Sequence, residues 1–436
     1  MNFSDSEIVA SILSGNEYSL VEDSSQAGLI LINTCSIRDK AEQRVWKRLR
    51  ELKALRKKNP FLRIGVIGCM AERLHEQLLD PRHGVDLVAG PDAYRNLPEL
   101  IAQTDTGAQA ANVQLSLEET YDDIEPVRLA PGGISAFISI MRGCENFCSY
   151  CVVPFTRGKE RSRDPQTILN EARSLFDKGY REVTLLGQNV NSYRWQNKES
   201  LVTFPDLLRL TAEIDPRLRV RFTTSHPKDL SDALIRTLAS YPNICKSVHL
   251  AVQSGSNAIL KKMNRKYTRE WFLERITAIR AQIPDCALST DIIAGFCGET
   301  DDDHRDTLSL MEEVKFDYAF MFRYSERDGT IAAKKYPDDV PDEVKASRLK
   351  EIIDLQHKHS LRSNKADVGK TFEVLTEGFS KRSNEMMSGR NSQNKVVVFK
   401  ALHAKPGEYA RVRITACTQA TLVGEETDAS TDFTAN

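Results

Sequence analysis

The sequence lacks any segment that would take the chain into or across a membrane. The N-terminus, MNFSDSEIVASIL, has neither the basic start nor the long apolar stretch of a secretory signal peptide. No apolar run approaches the roughly 20 residues that a helix needs to span a bilayer. We therefore expect a cytoplasmic protein, and in that compartment cysteines stay reduced.

Net charge is also nearly absent, since 60 basic residues face 61 acidic ones. Overall charge therefore gives no indication of nucleic-acid binding. Segment 38–58 departs from this balance, because it has three acidic residues and ten basic ones: Arg38, Lys40, Arg44, Lys47, Arg48, Arg50, Lys53, Arg56, Lys57 and Lys58. A solvated helix face explains the excess as well as a surface for a polyanion does.

A chain of 436 residues is too long for one ordinary core, and the pattern predicts three domains. Residues 1–102 alternate apolar runs with helical segments, which predicts a parallel, Rossmann-like α/β fold, followed by a linker over 102–131. Residues 130–361 contain six strand–helix repeats, typical of a complete or partial β/α barrel. Residues 364–427 contain short strands and predict a small antiparallel β-barrel.

The small C-terminal barrel has a basic composition. Segment 370–424 contains nine basic and four acidic residues. This excess favours an RNA-facing surface. A basic solvated face is the alternative.

The most specific motif is MRGCENFCSYC, in which Cys144, Cys148 and Cys151 have the spacing C-x3-C-x2-C. Three thiolates on one loop can hold three irons of a four-iron, four-sulfur cluster and leave the fourth iron open. A structural zinc site needs four closed ligands, and no nearby His or fourth Cys completes one. We interpret the loop as an iron–sulfur site.

Two further cysteines each follow an apolar run. Cys35 comes after LILINT and Cys69 after RIGVIG. In a parallel sheet the carboxyl ends of strands share one edge, where functional groups collect. The isolated residues Cys245, Cys286, Cys297 and Cys417 are instead predicted to pack as small apolar side chains.

Several stretches together resemble the radical S-adenosylmethionine (SAM) methylthiotransferases, and among these the enzymes that modify dimethylallyladenosine in tRNA. They cover nearly the whole chain: NTCSIR, GCMAER, GCENFCSYCVVPFTRGKERSR, LLGQNVNSY, TTSHPKDLSD, VQSGSNAILKKMNRKYTREW, DIIAGFCGET and GRNSQNKVVVF. The resemblance implies a radical SAM barrel with a C-terminal TRAM domain. It also implies that the loop cysteines hold a [4Fe-4S] cluster that binds SAM.

The resemblance further implies an auxiliary [4Fe-4S] cluster, with Cys35 and Cys69 as two of its three protein ligands. The third family cysteine would stand two residues before Met1. Either the true start lies upstream, or the chain is a variant with a labile or absent auxiliary cluster.

The implied reaction uses two SAM molecules: one methylates sulfur at the auxiliary cluster, and the other yields a radical that removes the adenine C2 hydrogen. The implied partners are the tRNA anticodon stem-loop and an electron donor of flavodoxin or ferredoxin type, with the enzyme a monomer. The sulfur donor is not identified. Related enzymes modify threonylcarbamoyladenosine or a ribosomal-protein aspartate, and a non-catalytic RNA-binding iron–sulfur protein is a third hypothesis.

Less specific candidates lie at other strand ends. Gln188, Asn189, Ser225 and Gln253 are candidates for SAM contacts, as is the glycine-containing stretch AGFCGET. The basic residues after the cysteine loop are either phosphate contacts for tRNA or a solvated charge run: Arg157, Lys159, Arg161 and Arg163.

The cysteine count predicts a measurable metal content. After anaerobic reconstitution, the chain as printed should bind about four irons, and a chain extended upstream with the missing cysteine about eight. Iron and acid-labile sulfide assays measure both values. Equal contents of about four would contradict the auxiliary cluster, and equal contents of about eight would show that two cysteines suffice.

Overall fold

Four parallel strands form the sheet of the N-terminal part, as the alternating pattern predicts. The structure, a computed structural model, describes residues 1–36, 39–129 and 132–427. The strands are β1 (Leu29–Thr34), β2 (Arg63–Gly68), β3 (Leu87–Ala89) and β4 (Ala110–Asn112). They lie in that order and pair in parallel. The helices are α1 (Asn2–Ser14), α2 (Asp39–Arg56), α3 (Cys69–Leu78), a 3-10 helix (Tyr94–Asn96) and α4 (Leu97–Thr104).

Neighbouring residues of β2 face opposite sides of this sheet, so each side has its own hydrophobic core. Ile67 belongs to a core with Tyr94 and Ile101 on one side. Val66 belongs to a core with Leu49 on the other side. Because helices cover both faces, the carboxyl ends of the strands are left as an edge where loops can build a site.

The predicted linker over residues 102–131 is wrong in part. Residues 110–112 form β4, the fourth strand of the sheet. Tyr121 is buried, and its Oη donates a hydrogen bond to the Pro91 carbonyl at 2.9 Å. A three-residue strand and a single buried tyrosine need few apolar residues, so composition did not reveal them.

The cysteine loop follows in a group of short elements. These are β5 (Ser135–Ser139), β6 (Met141–Arg142), α5 (Val153–Thr156), β7 (Arg161–Ser162) and α6 (Pro165–Asp177). One compact unit consists of the described residues within Met1–Pro131, Ser139–Ile168 and Arg327–Lys334. Cys144, Cys148 and Cys151 therefore belong to the same unit as Cys35 and Cys69.

The second unit consists of the described residues within Gly132–Ile138, Leu169–Glu326 and Lys335–Asn436. Its first strands are β8 (Glu182–Leu186), β9 (Arg194–Gln196), β10 (Leu201–Thr203), β11 (Arg219–Thr223), β12 (Ser247–His249), β13 (Ala287–Ala294) and β14 (Tyr318–Arg323). Strands β11-β8-β5 form one sheet and β12-β13-β14 another. Single parallel bridges, Val220 to Ile244 and Ser225 to Leu250, connect them into the predicted partial β/α barrel.

Helices surround this barrel as the strand–helix repeats predict. They are α7 (Phe204–Ala212), α8 (Asp232–Ser240), α9 (Asn257–Lys262), α10 (Arg269–Gln282), α11 (Asp301–Val314), α13 (Asp342–Lys365) and the 3-10 helices Val190–Ser192 and Pro227–Asp229. The short helix α12 (Ile331–Lys335) belongs mainly to the first unit. The long polar-faced helix expected after the barrel is α13. Among the described helices, none combines the length and the apolar character that crossing a membrane requires.

The C-terminal part is a closed barrel, as the short strands predict. Its strands are β15 (Thr371–Ser380), β16 (Ser383–Asn391), β17 (Val396–Lys400), β18 (Tyr409–Cys417) and β19 (Thr421–Glu426). They close in the order β15-β16-β17-β19-β18. The prediction of a wholly antiparallel barrel is wrong, because β17 and β19 pair in parallel.

Arg221 on β11 joins the two parts of the second unit. Its Nε donates to Glu182 Oε2 at 2.7 Å, and its Nη2 donates to the Asn391 carbonyl of the C-terminal barrel at 2.8 Å. Both charged side chains are at least nine-tenths buried. Removing one partner would leave the other charge buried without compensation.

We therefore expect Arg221→Met to lower the free energy of unfolding by about 3–5 kcal/mol. Urea denaturation followed by circular dichroism measures the loss. The double variant Arg221→Met/Glu182→Leu should recover much of it, because no buried charge remains. If the double variant were as unstable as the single one, the loss would come from packing and from the Asn391 contact instead of the ion pair.

Candidate functional site

The three-cysteine loop is closed at its base by a short antiparallel ladder, in which Met141 pairs with Ser162 and Arg142 with Arg161. Gly143 follows with φ +78°, and a Cβ there would stand 1.9 Å from the Lys159 carbonyl oxygen. Only glycine fits this approach. The loop is therefore held at both ends by its own backbone.

Hydrogen bonds within the loop then position the cysteines. The Cys144 amide donates to the Gly158 carbonyl at 3.1 Å, and the Cys151 amide donates to the Cys148 carbonyl at 2.9 Å. Cys148 is buried, and Cys144 and Cys151 are half-buried. Burial raises the pKa of the Cys144 thiol to about 11. Metal binding must therefore release a proton from this thiol.

The donor set fits an iron–sulfur cluster better than a single ion. Among the described residues, no three Cys, His, Asp or Glu side chains converge closely enough to hold one metal ion. In a four-iron cluster each thiolate binds a different iron, so the sulfurs stand further apart than the ligands of one ion. Three soft thiolates without a histidine or carboxylate are typical of such clusters.

Cys35 and Cys69 are placed side by side by strand register. Thr34 pairs with Gly68 at the carboxyl ends of β1 and β2, and each cysteine is the next residue. A Cβ on Gly68, whose φ is +92°, would stand 2.7 Å from the Thr34 carbonyl oxygen. The Thr34 hydroxyl accepts a hydrogen bond from the Met70 amide at 3.2 Å, which fixes the start of α3. The shared strand edge predicted from the sequence is thus confirmed.

Arg157 connects these cysteines to the three-cysteine loop. Its Nε donates to Cys69 Sγ at 3.1 Å, and its Nη2 donates to Asp5 Oδ2 at 2.6 Å. The second Asp5 oxygen accepts a hydrogen bond from Arg142 Nη1 at 3.0 Å. Burial raises the pKa of Asp5, but the two guanidinium groups outweigh it and lower the pKa to about 2. Asp5 is therefore ionised at neutral pH and offsets two buried cations.

Both sequence-based interpretations of the basic run after the loop are wrong for its three arginines. Arg157, Arg161 and Arg163 are only 3%, 6% and 6% exposed, so they neither face solvent nor offer a surface to phosphate. Arg161 binds Asp92 at 2.9 Å, just as Arg157 binds Asp5. Lys159, by contrast, is exposed. The carboxylate partners are far away in sequence, so local pattern could not reveal them.

Several buried polar atoms around Cys35 and Cys69 have no hydrogen-bond partner among the residues that the structure describes. They are Asn33 Oδ1, Glu72 Oε2, Tyr94 Oη and Arg157 Nη1. Leaving such groups unsatisfied is costly, and a bound polar group is a common explanation. An iron–sulfur cluster, whose sulfurs accept hydrogen bonds from N–H and O–H donors, would satisfy several of them. The residues around Cys69 therefore fit the implied auxiliary group.

Among these residues, Glu72 has a carboxyl group with an unusually high pKa. Burial, together with the charge of Asp92, raises its pKa to about 8. A carboxyl that is mostly protonated at neutral pH can donate a hydrogen bond. The sequence analysis did not single out Glu72 or Tyr94, although both stand close to a strand-end motif.

The SAM-binding candidates at the barrel strand ends differ in whether their polar atoms already have hydrogen-bond partners. Both polar atoms of the Gln188 amide are buried and have no partner, so Gln188 fits a polar ligand. Asn189 is already engaged: its Nδ2 donates to Asp229 at 2.7 Å and its Oδ1 accepts from the His226 amide at 3.0 Å. Ser225 donates to Asn191 at 3.1 Å. Asn189 and Ser225 therefore shape the loops.

Gln253 and Gly295, in the stretch AGFCGET, both have a positive φ angle. Gln253 is buried with φ +73°. A Cβ on Gly295, whose φ is +73°, would stand 2.3 Å from Cγ of Lys345. Packing against Lys345 thus explains this glycine without an adenosyl group.

The isolated cysteines behave as predicted. Cys245, Cys286 and Cys297 are buried, and Cys417 is half-buried. Burial raises the pKa of Cys245 to about 11 and that of Cys286 to about 12. Such thiols are inert, which is consistent with a packing role.

Three families match successive parts of the chain. The Uncharacterized protein family UPF0004 matches residues 1–90, the Radical SAM superfamily residues 138–311 and the TRAM domain residues 365–426. Among solved structures, the radical S-adenosylmethionine methyltransferase TsrM from Kitasatospora setae aligns with a TM-score of 0.57 at 14% identity. The alignment covers 76% of this chain and 73% of TsrM. This likeness shows the radical SAM fold.

Curated relatives are much more similar in sequence. A protein of Phocaeicola vulgatus is 57% identical over 427 residues, which cover 98% of this chain and 93% of the relative. One of Amoebophilus asiaticus is 56% identical, with 98% and 90% covered, and one of Flavobacterium johnsoniae is 52% identical, with 98% and 91% covered. Each is named tRNA-2-methylthio-N(6)-dimethylallyladenosine synthase. The chain therefore belongs to the tRNA-2-methylthio-N(6)-dimethylallyladenosine synthase family of radical SAM methylthiotransferases.

Proposed function

We propose that this protein transfers a methylthio group to C2 of N6-dimethylallyladenosine at position 37 of tRNA, beside the anticodon. One observation carries the proposal. Cys35, Cys69 and the three-cysteine loop belong to one compact unit, and Arg157 from the loop segment bonds Cys69 Sγ. Inserting sulfur into a C–H bond needs a radical source and a sulfur source held together, which this arrangement supports.

The cysteines divide between two cofactor sites. Cys144, Cys148 and Cys151 would hold the [4Fe-4S] cluster that binds SAM, and membership in the radical SAM superfamily implies that cluster. Cys35 and Cys69 would contribute ligands to a second cluster. When bound, these groups supply the radical that removes the C2 hydrogen and the sulfur that replaces it.

The protein side chains orient and enclose these groups. Arg157 fixes Cys69, and Asp5 fixes Arg157 while neutralising it. Gln188 offers an unpaired amide to a polar ligand of the barrel. Phe147 on the three-cysteine loop and Phe155 on α5 form an edge-to-face pair with ring centroids 6.4 Å apart, and both rings are exposed.

The C-terminal barrel would bind the tRNA. In its described residues, seven of the nine basic side chains counted in the sequence are exposed: Lys370, Lys381, Arg382, Lys400, Lys405, Arg411 and Arg413. A flavodoxin- or ferredoxin-type protein would deliver the electron that SAM cleavage needs. A monomer working in the cytoplasm, where tRNA is found, completes the proposal.

The function is tested by expressing the chain, extended upstream with the missing cysteine, in cells that lack the native activity. We expect 2-methylthio-N6-dimethylallyladenosine in their tRNA, measured by nucleoside mass spectrometry. Cys148→Ala should abolish this product and also 5′-deoxyadenosine formation, because one cluster ligand is lost. Cys417→Ser, which changes a half-buried cysteine of the C-terminal barrel, should leave both unchanged. Absence of the product with the chain extended upstream by the missing cysteine would overturn the proposal.

Arg157 provides a second prediction. Arg157→Met removes the donor to Cys69 and one of two cations that neutralise Asp5, so we expect a loss of about 3–5 kcal/mol in the free energy of unfolding. We also expect faster release of iron to a chelator in an N-terminally extended chain that carries both clusters.

Arg163→Met is the matched control. Arg163 is also buried, but its Nε donates to Thr167 Oγ1 and its Nη1 to the Ser139 carbonyl. Its variant should lose stability without faster release of iron from the Cys69 site, compared at equal fractions of folded protein. Equal release from both variants would show that Arg157 acts through folding alone.

A further inference from the structure

Helix α2 presents a continuous basic surface that the proposed function does not yet use. Its buried side consists of Val45, Leu49 and Leu52, which pack in a hydrophobic core. The described residues of α2 and the two that follow it expose a single acidic side chain, that of Glu51. They expose seven basic ones, which we call the α2 basic face: Arg44, Lys47, Arg48, Arg50, Lys53, Lys57 and Lys58.

Of the ten basic residues counted in segment 38–58, three do not belong to this face. Arg56 is half-buried and paired with Asp86, so it leaves the set. The side chains of Arg38 and Lys40 lie outside the part of the chain that the structure describes. The remaining seven spread around the whole solvent side of the helix.

Local carboxylates do little to neutralise this face. Glu51 pairs with Arg48 at 3.0 Å, and both side chains are about half exposed, so the pair is weak. Glu42 is buried, and its Oε1 accepts from Arg73 at 2.6 Å. A face of this charge on a chain with net charge −1 is therefore a local accumulation.

The chemistry of the face favours RNA over a lipid surface. A membrane-binding helix places large apolar side chains in the interface beside its cations. Among the described side chains of residues 41–58, no large apolar one is exposed, and the exposed Phe61 stands three residues beyond the last cation of the face. The ring of half-buried Trp46 contacts that of His83 at a tilt of 44°, with centroids 4.7 Å apart, and Lys53 donates to the Arg82 carbonyl at 2.9 Å. The turn at residues 82–83 therefore adjoins the face.

The position of α2 connects it to the cysteines. The helix begins four residues after Cys35, at the strand edge where Cys35 and Cys69 stand together. We propose that the α2 basic face is a second tRNA-binding surface, which binds the phosphate backbone independently of the C-terminal barrel. This inference rests on the proposed function, because it takes tRNA as the substrate.

Charge reversal tests the inference with the reconstituted enzyme. The test variant combines Lys47→Glu, Arg50→Glu and Lys57→Glu. The matched control combines Arg173→Glu, Lys178→Glu and Arg236→Glu, which are exposed residues of the barrel helices and their ends with the same total charge change. Circular dichroism and thermal unfolding verify that both variants fold like the unaltered enzyme.

Binding is measured by anisotropy of labelled tRNA that carries N6-dimethylallyladenosine, at 50–300 mM KCl. We expect the test variant to bind at least about tenfold more weakly at the lowest salt, with a salt slope smaller by about two to three, because about three phosphate contacts are lost. The control variant should bind within about twofold of the unaltered enzyme, with the same slope.

Other results of these measurements would contradict either this inference or the proposed function, and the two cases can be told apart. Unchanged tRNA affinity and salt slope in the test variant would overturn the inference. Binding of phosphatidylserine vesicles that is lost in the test variant, with tRNA affinity intact, would assign the face to a lipid surface instead. If the unaltered enzyme modifies tRNA and the test variant binds tRNA normally, only this inference fails, whereas absence of the modified nucleoside with the unaltered enzyme counts against the proposed function.

Discussion

The ionised carboxylate of Asp5 is the constraint on which the cysteine-bearing unit depends. Two guanidinium groups, from Arg142 and Arg157, are almost completely buried and meet on this one side chain. Without it, Arg157 would lose its carboxylate partner, and Arg142 would keep only the more distant Asp92, at 3.6 Å, as a counter-charge. Arg142 stands directly before the three-cysteine loop and Arg157 at its end. A residue of the first helix thus holds both ends of the loop.

The same ion array reaches the strand-end cysteines. Arg157 divides its donors between Asp5 and Cys69 Sγ, so the orientation of the sulfur is tied to the carboxylate. Hydrogen bonds to ligand sulfurs and the shielding of a cluster from water are two of the means by which proteins set its reduction potential. Glu72 Oε2 and Tyr94 Oη have no partner among the described residues, which is consistent with a polar group bound near Cys69.

Much of the fold was accessible from the sequence because the decisive patterns are local. Apolar runs such as LILINT and RIGVIG predict buried strands, and strand–helix alternation predicts parallel pairing. Register then determined that Cys35 and Cys69 stand together, as the shared edge implied. The short strand β4 and the parallel pairing of β17 with β19 escaped prediction, because neither depends on a periodicity that a single segment displays.

The sequence by itself determined the family, since the cysteine spacing and the stretches around it resemble those of the radical SAM methylthiotransferases. Only the tertiary structure decided which basic side chains are buried and which remain at the surface. Arg157, Arg161 and Arg163 look like a solvated or RNA-facing run, yet all three are buried. Arg157 pairs with Asp5, Arg161 pairs with Asp92, and Arg163 donates to Thr167. The cations of α2 look no different in sequence but remain at the surface. The physical reason is that a charge is buried at a tolerable free energy only beside a counter-charge. The counter-charges here, Asp5 and Asp92, come from distant parts of the chain.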